Sequence, residues 1–192
     1  MENNHLFISN FKMKEFIIKI CLTIILPLIC GLIVTIYWDP FKVFFKYDDY
    51  YTNNPIAGNR EDNCVKLLTN TPNKISNFII GSSRSLAYKT SYWCKKIQQP
   101  NNTAFHYDGN SLGLYKTTNA IKFLTKKFKI NNVLLIVDLE FFGETGNSPG
   151  HLFIQPPIVS NESKFSYYFT FLQASIDFKF IFYNIIYKLT GK

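Results

Sequence analysis

The stretch Asn77-Phe78-Ile79-Ile80-Gly81-Ser82-Ser83-Arg84-Ser85 decides how this 192-residue chain is read. A short uncharged run of apolar residues stops at a glycine and two serines, which is how a strand buried on both faces of a sheet reads as it enters a turn. Two further runs have the same form. Thr103-Ala104-Phe105 is weaker and leads to Asp108-Gly109, and Val133-Leu134-Leu135-Ile136-Val137 stops at Asp138. Between these two, from Ser111 to Lys129, Leu114, Ile121, Leu124 and Phe128 recur at helical spacing, with lysines on the other side. A strand, a helix and a strand in this order predict a right-handed crossover and a parallel pair, so the middle of the chain is expected to be a small doubly wound α/β core. In such sheets the site forms in loops at the carboxyl ends of the strands.

Upstream, Ile20 to Trp38 reads ICLTIILPLICGLIVTIYW, without a charge and at the length an α-helix needs to cross the hydrocarbon of a bilayer. Pro27 kinks such a helix without forbidding it. The run continues into Val34-Thr35-Ile36-Tyr37-Trp38, which disfavours a cleaved signal peptide, and Leu28-Ile29 before Cys30 disfavour a lipoprotein signal. The Tyr37-Trp38 end suits an interfacial aromatic belt better than the face of a buried core helix. Lys12, Lys14 and Lys19 precede the segment, whereas Lys42 and Lys46 on the other flank are offset by Asp39, Asp48 and Asp49. This bias predicts a single-pass protein of the inner (cytoplasmic) membrane, with residues 1–19 inside, 20–38 in the bilayer and the rest outside. Residues 39–77 are expected to be a polar tether with a short helix around Asp62–Leu68, and 78–192 the α/β domain.

Composition narrows the partners. The formal charge of +8 comes from lysines scattered in short groups, Lys95–Lys96 and Lys122 to Lys129 among them, with no basic arm or nucleic-acid module. The lipid bilayer is the expected partner, and no nucleic acid is. The three histidines lack ligand spacing and no CxxC occurs, so neither a metal site nor a cofactor is predicted. Cys21 and Cys30 fall in the apolar helix. Cys64 and Cys94 flank the first strand in a compartment that permits disulfides, so the sequence leaves their pairing open. At the far end, Phe165 to Leu189 is dense in aromatic residues. Ser175 as N-cap, with Asp177 in the first turn, predicts a helix from there to Leu189, apolar over most of its circumference.

The tetrapeptide Gly81-Ser82-Ser83-Arg84 admits two readings. A serine on a tight strand-to-helix turn presents its hydroxyl as a nucleophile, with the glycine permitting the turn. Equally, serines there cap free helix N–H groups. The order of features, GSSR after one strand, Asp108-Gly109-Asn110 after the second and VLLIVDLEFF as the third, resembles the SGNH (GDSL-type) hydrolase superfamily. It is closest to that family's membrane-anchored bacterial branch, which includes acyl-transfer proteins of envelope polymers. The resemblance runs from about Asp39 onward and implies a partial flavodoxin-like parallel sheet with flanking helices. It makes Ser83 the nucleophile of an ester-hydrolysing or acyl-transferring site and Gly109 an oxyanion donor, with Asn110 beside it as a binding residue.

Two departures stand out. The third block has Asp138-Leu139-Glu140-Phe141 where the family offers an Asn, and a carboxylate there repels an oxyanion. The family's Asp-x-x-His, source of the general base, is absent. His151 is the only later histidine and has no Asp three residues before it. The resemblance therefore implies the front half of such a protein, either a truncated or degenerate non-catalytic remnant or interaction protein, or one whose C-terminal segment is encoded separately.

Overall fold

The computed structural model describes residues 3–47, 50, 58–71, 74–143, 146 and 148–177, with scattered positions beyond. It divides into two units, Met1–Asp39 and Pro40–Lys192.

The first unit is helical: α1 (Asn3–Ile20), a π-helical segment (Cys21–Ile25) and α2 (Leu26–Trp38). The π segment lies just before Pro27, whose ring would press on the carbonyl four residues back and whose missing N–H leaves that carbonyl without its usual partner. A locally wider helix relieves both. Thr23 Oγ1 donates to the Lys19 carbonyl in the same stretch (2.7 Å). From Lys12 to Trp38 the helix is 27 residues long, and its most apolar 18-residue stretch has a mean hydropathy of 2.7 with none of it buried among the described residues. It is long and apolar enough to cross a membrane. Asp39 ends it in the left-handed conformation, its N–H on the Thr35 carbonyl.

The second unit is built on three parallel strands, β1 (Asn77–Ser82), β2 (Ala104–Gly109) and β3 (Asn132–Leu135), in the order β2-β1-β3. Strands two and three are therefore not the bonded pair that the crossover predicts, because β1 lies between them. Its register sets Ser82 against Gly109 on one side and Ile80 against Leu135 on the other. At the amino ends, buried Asn77 ties the three together, its amide donating to Thr103 Oγ1 and its carbonyl oxygen accepting from Asn132 (both 2.8 Å).

On one face, α3 (Arg60–Asn70) and α5 (Leu114–Lys127) cover Phe78, Ile80 and Tyr107 with Val65, Leu68, Ala120, Phe123 and Leu124. On the other lie the 3-10 turn Ser83–Ala87 and α4 (Thr90–Lys96). The buried side of α5 differs from the predicted stripe. Leu114 is exposed, and Lys116 and Thr117 take the interior with Ala120, Phe123 and Leu124. Lys116 is tolerated there because its ammonium donates to the carbonyls of Asn110 (3.3 Å) and Ser111 (3.1 Å).

The region read as a tether is partly structured. Its helix, α3, starts at an Asn59 cap that accepts from Asp62 N (3.0 Å). Phe41 and Val43 are buried in a second cluster with Ile154, Tyr167 and Phe171. Short α6 (Pro157–Ser160) precedes α7 (Lys164–Ile176), to which Tyr167 and Phe171 belong. Of the stretch predicted as a helix from Ser175 to Leu189, the described residues Lys179, Phe182, Tyr183, Ile186 and Leu189 are helical, with Asp177 Oδ1 accepting from Lys179 N (2.9 Å), whereas α7 is a further helix before it, with its N-cap on Ser163. Ser175 lies in the last turn of α7 and donates back to the Phe171 carbonyl (2.7 Å). Of the predicted stretch after Asp177, Phe178, Phe180, Ile181 and Ile185 lie outside the described residues.

Candidate functional site at the carboxyl ends of the strands

Gly81 is needed for closeness and not for an unusual turn. A Cβ there would stand 2.6 Å from that of Ser85 and 3.0 Å from that of Ile136, so only a bare backbone lets the turn fold back beside β3. Ser82 then caps the turn, its Oγ accepting weakly from Arg84 N (3.4 Å) and donating to Asp138 Oδ2 at 2.6 Å. The capping reading of the tetrapeptide thus belongs to Ser82. Ser83, the first residue of the turn, points into solvent, and its hydroxyl has no hydrogen bond among the described residues.

Ser85, fully buried, completes the turn. Its Oγ lies 2.6 Å from the Ser82 carbonyl and 2.7 Å from His106 Nε2. The carbonyl can only accept, so the one hydroxyl proton goes to it and His106 Nε2 must donate. Burial lowers the pKa of His106; the nearby Asp108 opposes that shift and Arg60 adds to it.

The other predicted residues gather at the same end of the sheet. Gly109 is buried beside Ser82, and a Cβ on it would meet Leu112 Cδ1 at 3.1 Å and Glu61 Oε2 at 3.5 Å. Asn110 is turned away, its amide donating to the Leu152 carbonyl (3.2 Å), which suits loop anchoring better than ligand binding. Asp138, which the sequence marks as repulsive to an oxyanion, is engaged by Ser82, and Arg84 lies 3.6 Å from the same carboxylate oxygen. His151 packs between Phe41 and Phe171. Neither it nor His106 bonds to Ser83.

Sequence reasoning missed the contribution of α3. Glu61 accepts from Tyr107 Oη (2.9 Å) and Gln155 Nε2 (2.6 Å) beneath Gly109, and Arg60 pairs with Asp108. Burial, reinforced by the Glu61 charge, pushes the Tyr107 phenol well above its usual range, so it remains a donor. Cys64, on α3, contacts Asp108, whereas Cys94 is buried on α4 at the opposite face. Neither is in a disulfide. The sheet thus separates the two cysteines that the sequence left open to pairing. The signal for α3 was only the capping sequence Asn59-Arg60-Glu61-Asp62, which announces a helix start without saying where it docks.

Strand ends in a parallel sheet bind ligands where the chain order switches direction, here between β1 and β3, and this is where Ser82, Ser83 and Asp138 stand. No family model matches the chain, nor does any curated protein or solved structure.

Proposed function

We propose that this is a membrane-anchored SGNH hydrolase-like protein of the cell envelope, carrying the nucleophile half of a site for ester hydrolysis or acyl transfer on an envelope polymer. In this reading the N-terminal helix holds it in the inner membrane with its N-terminus inside. Ser83 attacks the ester carbonyl and Gly109 helps hold the oxyanion. The observation that supports it is the exposed, unengaged Ser83 hydroxyl at the head of the turn after β1, one residue from the Ser82–Gly109 register pair. The order β2-β1-β3 is also the order with which a flavodoxin-like sheet begins.

A second reading, a non-catalytic remnant or envelope interaction protein, is favoured by a specific feature. The two groups suited to activate a serine are spent on its neighbours, Asp138 on Ser82 and His106 on Ser85. A serine without a base is a weak nucleophile, so activity calls for a base from another polypeptide segment.

A fluorophosphonate probe separates the readings, because labelling requires an activated serine in an oxyanion hole. Purified protein should remain unlabelled, and native membranes should show labelling that disappears in Ser83→Ala. Absence of Ser83-dependent labelling in both preparations would leave the non-catalytic reading. Strong labelling of the purified chain would mean that His106 or His151 reaches Ser83.

A further inference from the structure

Beside the turn that begins at Ser83, on the face of the sheet away from α3 and α5, lies a groove of about 490 Å³. Its lining is Ala87, Tyr88, Tyr92, Trp93 and Leu134, edged by Lys89 and Lys96. The volume falls in the range of small-ligand sites. The lining is aliphatic and aromatic, with the tyrosine hydroxyls, the Trp93 indole N–H and the two ammoniums as its polar side-chain groups among the described residues. No amide, serine or carboxylate is present to read a sugar or the edge of a base.

Two features make this more than a dent. Tyr88 is 50% and Tyr92 63% exposed, and Leu86 beside them is 47% exposed, so a continuous apolar surface faces water. The two lysines form no ion pair among the described residues. Lys96 Nζ hangs 5.5 Å from the Tyr92 ring centroid, and no acid lines the groove. An apolar floor with unpaired cations at its edge is complementary to an apolar chain that ends in an anion.

We propose that the groove binds the hydrocarbon chain of a fatty-acid-type carboxylate, whose head group lies between Lys89 and Lys96. The space suits one chain better than the two of a diacyl lipid. The inference does not depend on Ser83 reacting, although a chain seated here ends next to its turn.

Trp93 reports on the groove directly. The chain has two tryptophans, so Trp38→Phe leaves Trp93 as the only one. Full-length protein with this change, in phosphatidylcholine nanodiscs, is titrated with dibromostearate, whose bromines quench indole fluorescence on contact. Saturable quenching is expected. Lys89→Gln together with Lys96→Gln, both at exposed positions outside the core, should raise the half-saturation concentration roughly tenfold, as loss of two solvent-screened attractions implies. The uncharged methyl ester should be similarly weak.

Absence of quenching, or quenching that rises without saturating and is equal for ester, acid and lysine variant, would overturn the proposal. So would full quenching in discs of brominated phosphatidylcholine before any acid is added, since the groove would then be a bilayer contact.

Discussion

The two outer strands of the sheet are treated differently, and the difference runs against their sequences. β2 reads Ala-Phe-His-Tyr-Asp-Gly and is the more polar, yet its second half is buried beneath α3. β3 reads Asn-Val-Leu-Leu, with Ile136 and Val137 following, and is the more apolar, yet Val133 is 43% and Leu135 38% exposed. A continuous apolar run was expected to be buried on both faces, and on β3 one face is not covered. What decides is the docking of α3, which is tied to β2 by Glu61 on Tyr107, Arg60 on Asp108 and Cys64 on Asp108. Buried polar anchors, and not total apolarity, determine which edge acquires a helix.

The largest expected effect tests this asymmetry at its centre. Phe78→Ala removes a wholly buried ring from the middle strand and should cost about 3–5 kcal/mol, as large-to-small changes in closed cores do. Leu135, opposite Ile80 on β3, already has part of its side chain in water, and Leu135→Ala should cost less than about 1.5 kcal/mol. Urea unfolding of both variants in the same membrane mimetic measures the gap. Equal losses would mean that β3 is covered as fully as β1.

A smaller effect is expected at the anchor. Glu61→Leu removes the acceptor of the buried Tyr107 hydroxyl and one acceptor of the Gln155 amide, which keeps its bond to the Lys116 carbonyl (3.0 Å), and should cost about 1–3 kcal/mol. The combination Glu61→Leu with Tyr107→Phe should recover part of that loss, a coupling that a double-mutant cycle reads directly. On the β3 side, Ser82→Ala removes one bond to a partly buried carboxylate that Arg84 also approaches, and should cost only about 1 kcal/mol. If the Ser82 loss exceeded that of Glu61, the anchoring hierarchy drawn between the two edges would be inverted.

The same comparison shows what a sequence can reveal. The three strands were legible because each is a short apolar segment closed by a turn residue, α5 because apolar residues recur in it at helical spacing, and the apolar N-terminal helix because nineteen residues in succession carry no charge. The inner face of α5 was not legible, since the residue that faces in is Lys116 and only the carbonyls of Asn110 and Ser111, folded above it, make that tolerable. α7 itself was not legible, because what holds it is the burial of Tyr167 and Phe171 against Phe41, and Ser175, read as the cap of the helix that follows, lies in its last turn. At the site, the serine pair was visible, but not which member would be consumed. That choice depends on Asp138, fifty-six residues away from Ser82.

The smallest expected effect is a pH dependence that should come from both halves of the second unit. His106 on β2 and His151 in the Phe41–Phe171 cluster each have a pKa lowered chiefly by burial. In the unfolded chain an imidazole takes up its proton near 6.5, whereas in the folded protein it does so only at lower pH. As the pH falls through that value, the unfolded state gains protons that the native state refuses, so stability present above it is lost. The loss ends once the pH has passed the folded values. The thermal midpoint should therefore be flat above pH ~7 and decline between pH ~6.5 and ~5, before most carboxylates titrate. His151→Gln should flatten that decline without touching the strand-end turn. His106→Gln should flatten it too, and because a glutamine amide can still donate to Ser85, the turn should survive. A midpoint unchanged down to pH ~5 in the parent protein would show that neither imidazole is desolvated as its packing implies.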